Sequence, residues 1–234
     1  MKISDWGKVV SGINPKNAFL DLKQHCTITN DDGNSFVRIY IFEGIPHFLI
    51  DRPFVYDKIR LHIAENLDVL PRNIGLTGSA KIGFSLAPYK WLRDFSPENS
   101  DLDFFIVDEL MFNKICSDFF KFKADVNSGM IKYQTVTERR MWNASYFENI
   151  EKNIGYGFID TIKVPNRLDY RNALRCNRVI EKIADKIGIL LENKDINHKN
   201  NKSSIRCYRN HIDAIRRMTF NICQATKKIQ SETT

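Results

Sequence analysis

Several common signatures are missing from this chain. It has no CxxC pair and no HExxH motif, and its five histidines show no metal-ligand grouping, so zinc fingers and zinc hydrolases have no support. Its five cysteines, Cys26, Cys116, Cys176, Cys207 and Cys223, are scattered and odd in number, which fits reduced thiols better than a disulfide framework. No apolar run approaches the roughly 18 residues of a membrane helix, and the opening MKISDWGKVV lacks the apolar stretch of a signal peptide. A soluble cytoplasmic protein without a membrane partner is expected. The GxxxxGK[ST] phosphate loop and the GxGxxG dinucleotide fingerprint are absent, as are RRM and KH signatures. No Cys/His or Ser/His constellation for covalent catalysis stands out.

What is present is a chain of 234 residues with 43% hydrophobic content, enough for a substantial core. Basic residues exceed acidic ones, 35 to 28, for a formal charge of +7, which suits a polyanionic partner such as nucleic acid or nucleotide. The excess concentrates between Lys202 and Lys228, where seven basic residues accompany one acidic residue, Asp213.

Turn formers break up residues 1–35, and FVRIYIF (36–42) has the composition of a strand. Pro53 suits the first turn of a helix whose apolar stripe is Val55, Ile59, Ile63 and Leu67, and a break containing Pro71 follows. IGLTG (74–78) reads as a short strand. Leu102 to Val107 is apolar without alternation, as in a strand buried on both faces. Residues 109–122 look helical, with Leu110, Ile115 and Phe119 for a buried face, and 129–137 and 156–164 read as further strands. After Pro165 a helix is expected over 170–188. Beyond a polar joint (192–204) comes a last helix sharing Ile205, Tyr208, Ile212, Ile215 and Ile222 on one face. The expected fold class is α+β, a mixed sheet flanked by helices over 1–165 with an N-terminal extension, followed by a helical C-terminal module over 166–234.

Two features carry chemistry. Asp101 and Asp103 are two apart, so on a strand both carboxylates face one way while Leu102 faces the other. Such a pair can clamp a divalent ion, and oxygen ligands suit magnesium or manganese. The competing reading is a turn-to-strand junction at Asn99 and Ser100. The second feature is TGSAKIG (77–83). Gly78 permits close backbone approach, Ser79 offers a hydroxyl and an N–H, and Lys81 offers a cation. Alone, it is equally a structural turn.

Together, LTGSAKIG followed by SDLDFFIV resembles the hhGSxxxG…[ST]DhDhhh pattern of the nucleotidyltransferase superfamily, the DNA polymerase beta-like fold. The stretch 76–107 also resembles an uncharacterised bacterial branch of that superfamily. The resemblance implies that Gly78 and Ser79 hold the terminal phosphates of a nucleoside triphosphate such as ATP and that Asp101 and Asp103 bind magnesium. It also implies transfer of a nucleoside monophosphate to an acceptor hydroxyl with release of pyrophosphate. Active relatives use a third carboxylate, and Asp160 is the candidate here; its alternative is a structural salt bridge to an arginine such as Arg139 or Arg140.

The separation of 22 positions between Ser79 and Asp101 leaves room for a loop with Tyr89, Lys90, Trp91 and Arg93. It either closes over the nucleotide through an aromatic ring or is tethered to the core by Trp91 and Phe95. The acceptor is open among RNA, protein, a metabolite and a second nucleotide. Arg206, Arg209, Arg216 and Arg217, on the expected last helix, can contact RNA phosphates or simply keep that helix soluble. A non-catalytic, antitoxin-like or regulatory binding protein with a partner protein, and a cyclic or oligonucleotide synthase, are the alternative functions.

Overall fold

A computed structural model describes residues 15–24, 30–96, 100–183, 187 and 203–232. Two short helices, α1 (Pro15–Gln24) and α2 (Asn30–Phe36), lead into a π-helical turn at Val37–Phe42. Then follow α3 (Pro53–Leu67), β1 (Ile74–Thr77), the one-turn helix α4 (Ser79–Ile82), β2 (Leu102–Val107) and α5 (Glu109–Asn127). The chain continues with α6 (Val136–Met141), α7 (Ala144–Gly155), β3 (Phe158–Asp160), α8 (Arg171–Glu181), β4 (Ser203–Tyr208) and α9 (His211–Glu232).

The helix boundaries follow from local chemistry. Pro53 occupies the first turn of α3, and Asp68, left-handed at φ 58°, ends it. Asp108 starts α5 by accepting a hydrogen bond from the Met111 N–H at 2.8 Å, and Asn143 starts α7 through the Tyr146 N–H at 2.9 Å. The N-terminal amides of α8 are satisfied from another helix, since the Asp118 carboxylate of α5 accepts from the N–H groups of Asn172 and Ala173 at 2.8 and 2.9 Å.

The four strands form one mixed sheet in the order β1–β2–β4–β3. β1 runs antiparallel to β2, β4 parallel to β2, and β3 antiparallel to β4. The register sets Thr77 against Asp103, Asp103 against Ser204, and Arg206 against Asp160. Gly75 lies opposite Phe105, where any Cβ would collide with the phenyl ring. Alternation separates two cores. Ile74, Leu76, Leu102, Phe104, Ile106, Ile159, Ile205 and Cys207 pack against α3, α5, α7 and α8. Phe105, Val107, Phe158 and Tyr208 pack against α1, α2, the π turn and α9. Among the described residues no helix is long and apolar enough to cross a membrane.

The structure is α+β with a mixed sheet, as expected, but several elements differ. Residues 36–42 are helical: Phe36, Val37 and Ile41 are buried, a helical spacing, and Ile39 is exposed. Residues 129–137 form a turn and the start of α6, with Met130 and Val136 exposed and, among the described residues, no strand paired with them. Only Phe158–Asp160 of the expected 156–164 strand is extended. Leu110 points to solvent, while Ile115 and Phe119 are buried. The largest correction is at 203–208, expected as the end of the polar joint (203–204) and the start of the last helix (205–208) and found as β4, inserted between β2 and β3. Its alternation, with Ile205 and Cys207 on one core and Tyr208 on the other, is stabilised by sheet neighbours on both sides. Ala184 and the joint up to residue 202 lie outside the described residues.

Candidate active site

Where β1 ends, the chain turns at Gly78, with φ 69° and ψ −161°, a conformation that a residue with a Cβ rarely adopts. The turn leads straight into α4, whose first bonds run from the N–H groups of Lys81 and Ile82 to the Gly78 carbonyl at 3.1 and 3.2 Å. Because Thr77 sits opposite Asp103, the glycine-serine turn is brought against the carboxylate: a Cβ on Gly78 would lie 3.6 Å from Asp103 Oδ2.

Asp101 is exposed just before β2, and Asp103 is part-buried within it. Asp103 Oδ1 accepts the Ser204 hydroxyl at 2.7 Å across the β2–β4 pair. Burial raises the Asp103 pKa above its ordinary value, the Ser204 bond opposes this, and the charges of Asp101 and Asp160 add to the rise. The Asp101 and Asp103 carboxylates, the latter with Oδ2 near the Gly78 turn, form an oxygen-only donor pair. That chemistry fits magnesium or manganese. Among the described residues, no group of three or more His, Cys, Asp or Glu side chains is placed to hold a metal ion.

The pair opens into a cleft of ≈ 820 Å³. Thr77, Gly78, Ser79, Asp101, Asp103 and Arg206 line it, with Tyr89, Lys90 and Arg93 contributed by the loop after α4 and Met218, Asn221 and Ile222 by α9. The loop closes on itself through Ser85 N–H to Arg93 O at 2.8 Å and Phe95 N–H to Gly83 O at 2.9 Å. Of its aromatic residues, Trp91 packs edge-on against Phe19 at 5.4 Å and Phe95 against Phe48 at 5.7 Å, so both tether the loop. Tyr89 is exposed, with Lys90 Nζ 5.6 Å from its ring centroid.

Two candidates stand elsewhere than the sequence suggests. Lys81 is buried and does not line the cleft: its Nζ donates to the backbone carbonyls of Glu43 and Gly44 at 2.5 and 2.8 Å, tying α4 to the end of the π turn. Burial lowers its pKa to about 8. Asp160 shares the sheet face of Asp103, but β4 lies between them, a separation of roughly 10 Å at ordinary strand spacing. Its oxygens accept from Arg206 Nε and Nη2 at 2.7 and 3.2 Å; neither Arg139 nor Arg140 is its partner.

The four arginines also divide. Arg206 faces the cleft from a strand, not a helix. Arg209 and Arg216 both pair with Asp213, at 2.8 and 3.9 Å. Arg217 lies over the rings of Phe158 and Phe220 at 4.8 and 5.2 Å. Sequence reasoning missed Ser204 as the partner of Asp103. The signal available was the alternation in SSIRCY, which puts Ser204, Arg206 and Tyr208 on one face. Comparisons of the chain with models of protein families, with curated proteins and with solved structures gave no match.

Proposed function

We propose that the chain is a magnesium-dependent nucleotidyltransferase, moving a nucleoside monophosphate from a nucleoside triphosphate to an acceptor hydroxyl with pyrophosphate released. The observation that carries this reading is one juxtaposition: the Gly78–Ser79 turn and the Asp101/Asp103 pair meet across paired strands at the mouth of a cleft. In the proposed reaction the Ser79 hydroxyl and the backbone at Gly78 and Ser79 hold the terminal phosphates. Lys90 and Arg93 on the loop add positive charge to the same cleft. Asp101 and Asp103 hold the cation, and Ser204 fixes the Asp103 rotamer through its hydroxyl. A bound divalent ion would neutralise charge on the transferring group and on the pyrophosphate. Asp160, committed to Arg206, acts as a positioning residue in this scheme instead of a third ligand.

The test is incubation with each labelled nucleoside triphosphate and magnesium, with and without total RNA, followed by separation of RNA, protein and small-molecule products. Asp101→Ala with Asp103→Ala is expected to abolish label transfer while leaving the fold intact. Transfer that survives the double substitution would sink the site.

A second reading is favoured by the Asp160–Arg206 ion pair, which removes the third carboxylate from play. On it, the protein binds nucleotide without catalysis and regulates a partner. It predicts saturable binding of a nucleoside triphosphate with no labelled product under any of these conditions.

A further inference from the structure

Two guanidinium groups converge on one aromatic ring: the Cζ atoms of Arg206 and Arg217 lie 4.9 and 4.8 Å from the Phe158 centroid. One carboxylate serves them, Asp160, and it is engaged by Arg206. Arg217 Nε is buried and has no hydrogen-bond partner among the described residues. Burial and then the charge of Arg206 depress the Arg217 pKa, so the environment as it stands disfavours the Arg217 cation. A buried donor without an acceptor, beside a like charge, is relieved by an incoming anion.

The place of Arg206 in the sheet, with Arg217 on α9 over the same Phe158 ring, defines which anion. Across this face the order is Gly78–Ser79 after β1, Asp101 and Asp103 on the β2 strand line, Arg206 on β4 and Asp160 on β3. Arg206 lines the cleft on the flank of the carboxylates opposite the glycine-serine turn. If the turn takes the triphosphate, the arginine flank faces the acceptor. We infer that Arg206 and Arg217 form a phosphate-binding site for the acceptor, which therefore carries a phosphate near the hydroxyl it offers. This rests on the nucleotidyl-transfer reading above. The phosphate is either a diester of a nucleic-acid strand or a monoester of a small molecule. Asp160, through two hydrogen bonds, and the Phe158 ring beneath fix the Arg206 guanidinium at the wall of the cleft.

The experiment measures equilibrium binding without divalent ions of two probes, fluorescein-labelled pentaadenylate and inorganic phosphate, and separately of ATP with magnesium. The proteins are wild type, Arg217→Gln, Arg206→Gln with Asp160→Asn, and Asp101→Asn with Asp103→Asn, each confirmed folded by thermal melting. Pairing Arg206→Gln with Asp160→Asn avoids leaving a carboxylate unpartnered. Wild type is expected to bind at least one probe, pentaadenylate if the source is a strand and phosphate if it is a monoester. Each arginine variant is expected to weaken that binding at least tenfold, and the aspartate variant, which removes negative charge coupled to Arg206, not to weaken it. ATP with magnesium is expected to follow the aspartates and not the arginines. Arginine variants that bind both probes like wild type, or a wild type that binds neither, overturn the inference. Arginine-dependent probe binding without aspartate-dependent ATP binding overturns the acceptor assignment and the transfer reading together, while the phosphate site itself stands.

Discussion

The two faces of the sheet are made of alternate residues of the same strands and serve different ends. One face is apolar apart from Ser203 at its end: Leu76, Phe104, Ile106, Ile159 and Ile205 are all fully buried beneath four helices. The other is apolar only at one end, where Phe105, Val107, Phe158 and Tyr208 pack, and at the other end carries Thr77, Asp103, Ser204, Arg206 and Asp160. Neighbours in sequence therefore belong to unrelated tasks. The chain draws its stability chiefly from the first face and gathers its charged groups on the second.

That division can be broken experimentally. The largest effect belongs to the apolar face: Phe104→Ala is expected to cost about 3–5 kcal/mol in urea denaturation. Binding of ATP per folded molecule should remain as in wild type. A loss well below 1 kcal/mol would mean that the first face does not hold the fold together.

Next is Lys81, a charge buried beside the site. Its folded pKa, about 8, lies below the ordinary 10.5, so the unfolded chain binds more protons between those values and stability rises with pH across that window. Lys81→Met should remove this rise, worth up to about 3 kcal/mol for a shift from 10.5 to about 8. Denaturation midpoints at pH 7.5 and 10.5 for both proteins decide it.

On the polar face, Asp103 titrates above its ordinary value, so the folded state loses stability as pH rises from that value through the raised one. Asp103→Asn is expected to be at least as stable as wild type at pH 7. On the proposed reading it should also lose stabilisation by magnesium, expected for the wild type to be about 2.7 kcal/mol at a hundredfold excess over the dissociation constant. Thermal melts with and without magnesium compare the two. Smallest of all is Arg216→Ala, an exposed side chain 3.9 Å from Asp213, expected to change stability by less than about 0.5 kcal/mol. It should leave pentaadenylate binding within twofold of wild type, in contrast to Arg217.

The apolar face was also the more legible one. Leu102 to Val107 reads as a doubly buried strand because both cores need apolar side chains there, and the stripe of α3 repeats every four residues over a full helix. The carboxylate pair and the turn were legible because their chemistry depends on spacing along short segments. β4 was not, because Ile205 and Tyr208 are three apart and run into the apolar spacing of α9 within two residues. A six-residue strand gains its stability from partners far away in sequence, and no local pattern records them. Missing β4 also hid the role of Ser204 and the true partner of Asp160. The segments at 36–42 and 129–137 fail in the opposite sense: their β-forming residues find no strand to pair with and fold locally as helix and turn.

The position of β4 also bears on how the molecule is made. This strand sits inside the sheet yet follows the other three described strands in the chain, and it joins β2 through pairs about a hundred residues apart, such as Asp103 with Ser204. Until it is synthesised, β2 and β3 have open edges facing a gap. The helices on the apolar face can assemble early, whereas sheet and cleft close in one late, long-range step of the kind that slows folding. Ser204 and Arg206 arrive on that final strand, so a nascent chain cannot present a finished site before its fold is nearly complete.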